Sequence, residues 1–169
     1  MTVSIHGLLW TQQPDLSWYG LQPWWQRWLE AGARAEHGAD LQLDLDLDRI
    51  TYRLPLEVRG RRDPVDLQIE FHRWPRYDCY DLLPEEYPRV FAAPGATSPH
   101  RMPTDDALCL YFPDSPPWRR WRPVDGLLAL IDLARDHVFF EDYWRATGGQ
   151  RGGTWLGDEA PHGFPEVAA

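Results

Sequence analysis

The sequence predicts a mixed α/β (α+β) domain: an N-terminal helix, a four-stranded antiparallel meander, an irregular active-site segment and a long C-terminal helix. Three observations carry the prediction. Apolar spacing changes from helical to alternating just after Gly38. Between Leu41 and Phe71 strand-like segments follow one another across short turns, which favours antiparallel pairing over crossover connections. A second helical pattern then runs from Pro123 to Trp144.

Residues 1–20 mix Trp10, Trp18 and Tyr19 with Pro14 and Gly20, have no clean period and read as an irregular arm. Pro23 suits a first helical turn, Trp24, Trp25, Trp28 and Leu29 fall on neighbouring turns, and Gly38 is a stop signal. The tryptophan face is expected to pack in the core, with partner docking the minority reading. Leu41, Leu43, Leu45 and Leu47 then alternate with Gln42, Asp44, Asp46 and Asp48, giving a strand with one wet face. The aspartates are not a calcium loop of the EF-hand type, since the central glycine and distal glutamate are missing. A second strand spans Ile50 to Val58, where Pro55 hints at an edge or bulge. Gly60 to Pro64 is a turn, and Val65, Leu67, Ile69 and Phe71 mark a third strand. From Trp74 to Pro99 prolines limit regular pairing while aromatics pin the loops down, with a short fourth strand over Arg89 to Ala92. Pro123 and Asp125 open the last helix, Gly148-Gly149 ends it, and residues 150–169 form an irregular tail anchored by Trp155. The whole chain, 1–169, thus reads as one domain.

The formal charge of -9 argues against a nucleic-acid backbone or an anionic membrane as the main partner, because both reward clustered positive charge. Arg59, Arg61 and Arg62, and again Arg119, Arg120 and Arg122, form small basic clusters read as solvated loop charge. All 17 cationic side chains are arginine, so self-modification would be confined to the amino terminus, hydroxyls and thiols. Two cysteines are too few for a disulfide framework, no charged leader opens the chain, and no apolar run reaches membrane-span length; a reducing cytoplasm is the simplest location. The sequence has no phosphate-binding loop and no metal-ligand pair, so no cofactor is expected.

Chemistry concentrates between Ser98 and Trp121. Cys109 stands in the apolar run Leu108, Leu110, Tyr111, Phe112, with His100-Arg101 and Asp105-Asp106 before it and Pro116-Pro117-Trp118 after it. A free thiol ionises near pH 8.5, so a working cysteine needs exposure and a polar surround, and these flanks offer both. Cys79, between Asp78 and Tyr80, lies in a negative setting that disfavours a thiolate and reads as structural.

The same stretch resembles ubiquitin-conjugating enzymes, in which a His-Pro-Asn motif precedes the catalytic cysteine, the cysteine sits in an Ile-Cys-Leu-like run, and a tryptophan, a proline and a long helix follow. Here His100 lies nine residues before Cys109, Leu108-Cys109-Leu110 matches the run, and Trp118 or Trp121 with Pro123 precedes the helix. Tyr87-Pro88-Arg89-Val90 is similar to the family's Tyr-Pro and Pro-Pro-x-Val elements, and the pieces keep their order from Leu41 to Trp144. The motif itself departs, with Arg101 and Met102 standing where proline and asparagine would be, so the resemblance is to the divergent bacterial branch and the oxyanion role of the asparagine is unassigned. Asp78 to Glu86 looks like an insertion.

The resemblance implies a UBC-like fold and a carrier function. Cys109 would accept a ubiquitin-like protein as a thioester from an activating enzyme and yield it to an amine on a target protein, in a bacterial conjugation or antiphage defence setting. Three roles are open to His100: lowering the thiol pKa, donating to the oxyanion, or packing beneath the loop. Asp105 and Asp106 would orient or deprotonate the incoming amine, or else be solvated. Two rivals stand beside this: an inactive binding module of the same fold with Cys109 as a small buried hydrophobe, and a cysteine hydrolase pairing Cys109 with His137 or His162.

Overall fold

A computed structural model describes residues 18–157. Residues 1–17, His162 and the end of the tail from Pro165 lie outside the described residues.

Helix α1, Pro23–His37, begins on a proline and ends at Gly38, whose φ of 53° is the left-handed conformation that glycine adopts without Cβ strain. Its buried stripe is Trp25, Leu29 and Ala33, each four residues from the last. Trp24 and Trp28 lie off that stripe and are largely exposed. The expected tryptophan face therefore divides, Trp25 facing the core and the other two facing solvent.

Four strands follow: β1 Gln42–Leu45, β2 Arg49–Leu56, β3 Val65–His72 and β4 Arg89–Ala92. They pair antiparallel in chain order, which makes the sheet a meander. The β2–β3 register sets Ile50 against Phe71, Tyr52 against Ile69, Leu54 against Leu67 and Leu56 against Val65, and β4 adds Val90 opposite Ile69 and Ala92 opposite Leu67. All of these are buried, so period-2 alternation has produced one continuous inner face. Pro55 lies two residues past Arg53, the last partner of β1, where β2 is effectively an edge and a missing N–H leaves no ladder bond unmade on that side. The leucine row of β1 does not stay buried: Leu41 is in the core, whereas Leu45 is 52% and Leu47 87% exposed.

Helix α2, Gly126–Ala146, follows a single 3₁₀ turn at Pro123–Asp125 and lays Leu127, Leu130, Ile131, Ala134 and Val138 over the same core. The two helices come close where Gly32 of α1 meets Leu128; a Cβ there would stand 3.4 Å from the leucine's. At the centre Phe71 has the rings of Tyr19, Trp25, Tyr52 and Trp121 around it, at centroid distances of 5.9, 5.8, 6.1 and 6.1 Å. Each such buried ring contributes on the order of 2–3 kcal/mol through area removed from water. Trp18 and Tyr19, expected in the irregular arm, belong to this core, with Tyr19 in a 3₁₀ turn against Trp25. Two polar groups at the core's edge are satisfied through Glu30: Tyr52 Oη donates to its Oε1 at 2.9 Å, and Arg34 pairs with the same carboxylate.

Among the described residues no helix is long and apolar enough to cross a membrane.

Candidate active site

The segment after β4 folds back on itself as a narrow ribbon. Arg101 bridges Leu108 antiparallel, the Met102 N–H donates to the Ala107 carbonyl at 2.7 Å, and the Cys109 N–H donates to the His100 carbonyl at 2.9 Å. With Arg101 opposite Leu108, the residue opposite Cys109 is His100, and facing residues of an antiparallel pair project from the same side. The nine-residue spacing of the sequence has thus become a register that brings these two side chains together. A tight reverse turn closes the ribbon, with Asp106 at φ 63° and its N–H donating to the Met102 carbonyl at 3.0 Å. The ribbon is also stitched to the sheet, where the Leu108 N–H donates to the Val90 carbonyl at 2.8 Å.

Both aspartates are engaged with arginines. Asp105 stands 3.0 Å from Arg89 and accepts the Ala107 N–H, while Asp106 accepts from Arg101 at 3.0 Å and from the Gly95 N–H at 2.7 Å. They hold the turn in shape and clamp it to β4. Arg89 in turn lies 3.7 Å above the Tyr77 ring and 5.4 Å from that of Tyr87. Tyr87, Met102 and Ala107 form a small second core with Tyr77, Cys79, Tyr80, Leu82 and Tyr111 packed around it, and Cys109 touches this cluster as well. The Asp78 to Glu86 segment is therefore the backing of the cysteine loop. Burial raises the Cys79 thiol, Arg89 opposes the rise and Asp78 adds to it.

Arg101, at the motif position where the resemblance led one to look for proline, reaches α2. Its Nε and Nη2 fork onto Glu141 Oε1 and Oε2, both at 2.8 Å, and Nη2 also donates to the Ala92 carbonyl. Glu141 has no exposed side-chain surface. One turn back along α2, His137 Nε2 stands 3.5 Å from Glu141 Oε1, beyond the reach of a good hydrogen bond, and this buried nitrogen has no other partner. Burial by itself would raise the Glu141 carboxyl, but His137 and the Arg101 fork outweigh it and hold the group at about 2.

His137 meets the ribbon at a pocket of 440 Å³, whose lining includes Cys109, His100, Phe140 and Trp155 but not Arg101, Asp105, Asp106 or Glu141. Trp155 stacks on His100 at 4.0 Å and meets His137 edge-on at 5.2 Å, while the two imidazoles lie 6.3 Å apart, edge to face. The expected tail anchor is thus one wall of the cysteine pocket. Both cysteines are free and partly buried. Burial pushes the Cys109 thiol up to about 11, with Arg89 pulling it back and Asp105 and Glu141 adding to the rise. At neutral pH such a thiol is ionised in roughly one molecule in ten thousand. A nucleophilic role for such a thiol would need a proton acceptor at the moment of reaction.

Sequence reasoning brought out Cys109, His100, Asp105 and Asp106 from one stretch, and the ribbon keeps all four within a few residues of the turn. It weighed His137 only in the hydrolase reading and singled out neither Trp155 for the pocket nor the Arg101–Glu141 pair beside His137. One signal was present: His137 and Glu141 are four apart in a helical pattern, the spacing that stacks side chains on one face. Among the described residues no group of three or more His, Cys, Asp or Glu side chains could hold a metal ion. No family model, no curated protein and no solved structure matches the chain.

Proposed function

We propose that this chain carries a ubiquitin-like protein as a thioester on Cys109, taking it from an activating enzyme and passing it to an amine on a target protein in a bacterial cytoplasm. The observation that carries this reading is the placement of Cys109, which ends a ribbon directly after the fourth strand of a meander, faces His100 and opens onto a pocket. The order of helix, meander, cysteine segment and long helix is the order that the resemblance to ubiquitin-conjugating enzymes implies. The chemistry suits a carrier. A sulfur whose thiolate is disfavoured leaves less readily, so a thioester formed on it resists water and persists long enough to be handed on. Arg101 and Met102, in place of the motif's proline and asparagine, contribute position: Arg101 fixes the ribbon to α2, and Met102 packs beside Cys109 in the second core.

A second reading rests on the same thiol. Its enclosure and high pKa also fit an inactive binding module of this fold, in which Cys109 only fills space. The two separate in a thioester assay with ATP, an activating enzyme and its ubiquitin-like protein. The carrier forms an adduct that Cys79→Ser retains, Cys109→Ala loses and thiol cleaves. Absence of any adduct, with both partners active on each other, selects the module.

A further inference from the structure

We propose that His137 is the proton acceptor for Cys109, with the Glu141–Arg101 pair set beside it; the proposal rests on the carrier reading and supplies a step that reading lacks. His137 is buried, lines the pocket that holds the thiol, and comes from a different element than the ribbon. Its Nε2 looks toward a carboxylate at 3.5 Å that stays ionised throughout the neutral range, and no other group satisfies it. A neutral imidazole carries one lone pair that can take a proton, and here a carboxylate stands close enough to offset the positive charge as it forms.

A buried ionic pair of this kind is costly to maintain, and here its parts have one geometric outcome. Arg101 forks both oxygens of Glu141, Asp106 and the Ala92 carbonyl fix Arg101, and Arg145 stands 3.7 Å from Glu141 on the next turn. Glu141 cannot rotate away from His137 without breaking that fork. The groups around His137 are Glu141 on its own helix, with Arg101 behind it, His100 from the ribbon, the uncharged rings of Trp155 and Phe140, and the charged Asp136 and Arg119 that line the same pocket.

The step is a transthioesterification. The Cys109 S–H bond breaks and its proton passes across the shared pocket to the ring of His137, while the sulfur forms a bond to the carbonyl carbon of the incoming thioester. The carbon–sulfur bond to the activating enzyme breaks, its electron pair leaves as that enzyme's thiolate, and the thiolate takes the proton back from His137. No oxidant, metal or further reactant enters.

The test follows Cys109 alkylation by iodoacetamide from pH 6.5 to 10.5 in Cys79→Ser and in the same chain with His137→Asn, folding being checked by circular dichroism. With His137 as acceptor, the variant reacts at least about tenfold slower near pH 7, and the two rates converge as the thiol begins to ionise unaided. Equal rates at all pH values overturn the proposal, and so does a ratio that stays constant with pH, which marks a structural role. Because no modifier is present, the assay is independent of the carrier reading. A pH-dependent ratio in a chain that never forms a thioester leaves His137 as the proton acceptor and removes the carrier function.

Discussion

At neutral pH the Glu141 carboxylate is ionised with no exposed surface, between Arg101, His137 and Arg145. A carboxyl held at about 2, against an ordinary 4.5, favours the folded state wherever the unfolded chain would be ionised too. That contribution, on the order of 3 kcal/mol, is fully present above pH 4.5 and is lost as pH falls from there toward 2. Urea denaturation at stepped pH should therefore show stability falling steeply below pH 4.5, and Glu141→Gln should flatten that limb while costing about 3–5 kcal/mol at pH 7, because the buried Arg101 is left with the partly exposed Asp106 as its remaining carboxylate. An acid limb unchanged in Glu141→Gln would show that other carboxylates govern it. Cys79 offers a contrast at the same scale. It packs behind the loop, so Cys79→Ser should cost about 1–2 kcal/mol of stability in a thermal melt and leave Cys109 alkylation unchanged.

Elements were legible where local chemistry and tertiary packing agree. Pro23 and Gly38 bound α1, Arg89 to Ala92 form β4, and the alternation of Val65 to Phe71 is the buried row of β3. They were less legible where burial depends on what lies opposite. The Leu-Asp alternation from Leu41 to Asp48 continues past the end of β1 at Leu45, and neither period nor composition says where cover runs out. Trp24 and Trp28 show the same gap, since a tryptophan's bulk does not say which way its helix is turned. Two substitutions test the distinction. Phe71→Ala, at the centre of the ring cluster, should lower stability by about 3–5 kcal/mol, whereas Leu47→Gln should stay within about 0.5 kcal/mol in the same melt. Trp155 belongs to this scale because it ties the tail to the pocket. Trp155→Ala removes the ring stacked on His100, and Cys109 should then react faster with a bulky maleimide, its rate with small iodoacetamide changing far less. A maleimide rate that does not rise would show that the tail does not restrict entry.

Over the whole molecule, the candidate site is assembled from three regions: the ribbon of residues 100–109, the inner face of α2 and the tail at Trp155. The first was readable because its residues are neighbours in the chain. The others were not, because the rotation of α2 against the sheet decides whether His137 faces the pocket or solvent, and that rotation is set by Leu127, Leu130, Ile131 and Ala134 packing far from the chemistry. Arg101 joins the two parts, with its backbone in the ribbon and its guanidinium on α2. The proposed role of Cys109 is to carry an acyl-linked protein. Its most direct measurement is the intact mass of the chain after incubation with ATP, an activating enzyme and its ubiquitin-like protein, without reductant. The account predicts a species heavier by the modifier less one water, mapped to Cys109, absent from Cys109→Ala and reversed by dithiothreitol. A chain whose mass does not change, or an adduct that survives thiol and Cys109→Ala, would contradict it.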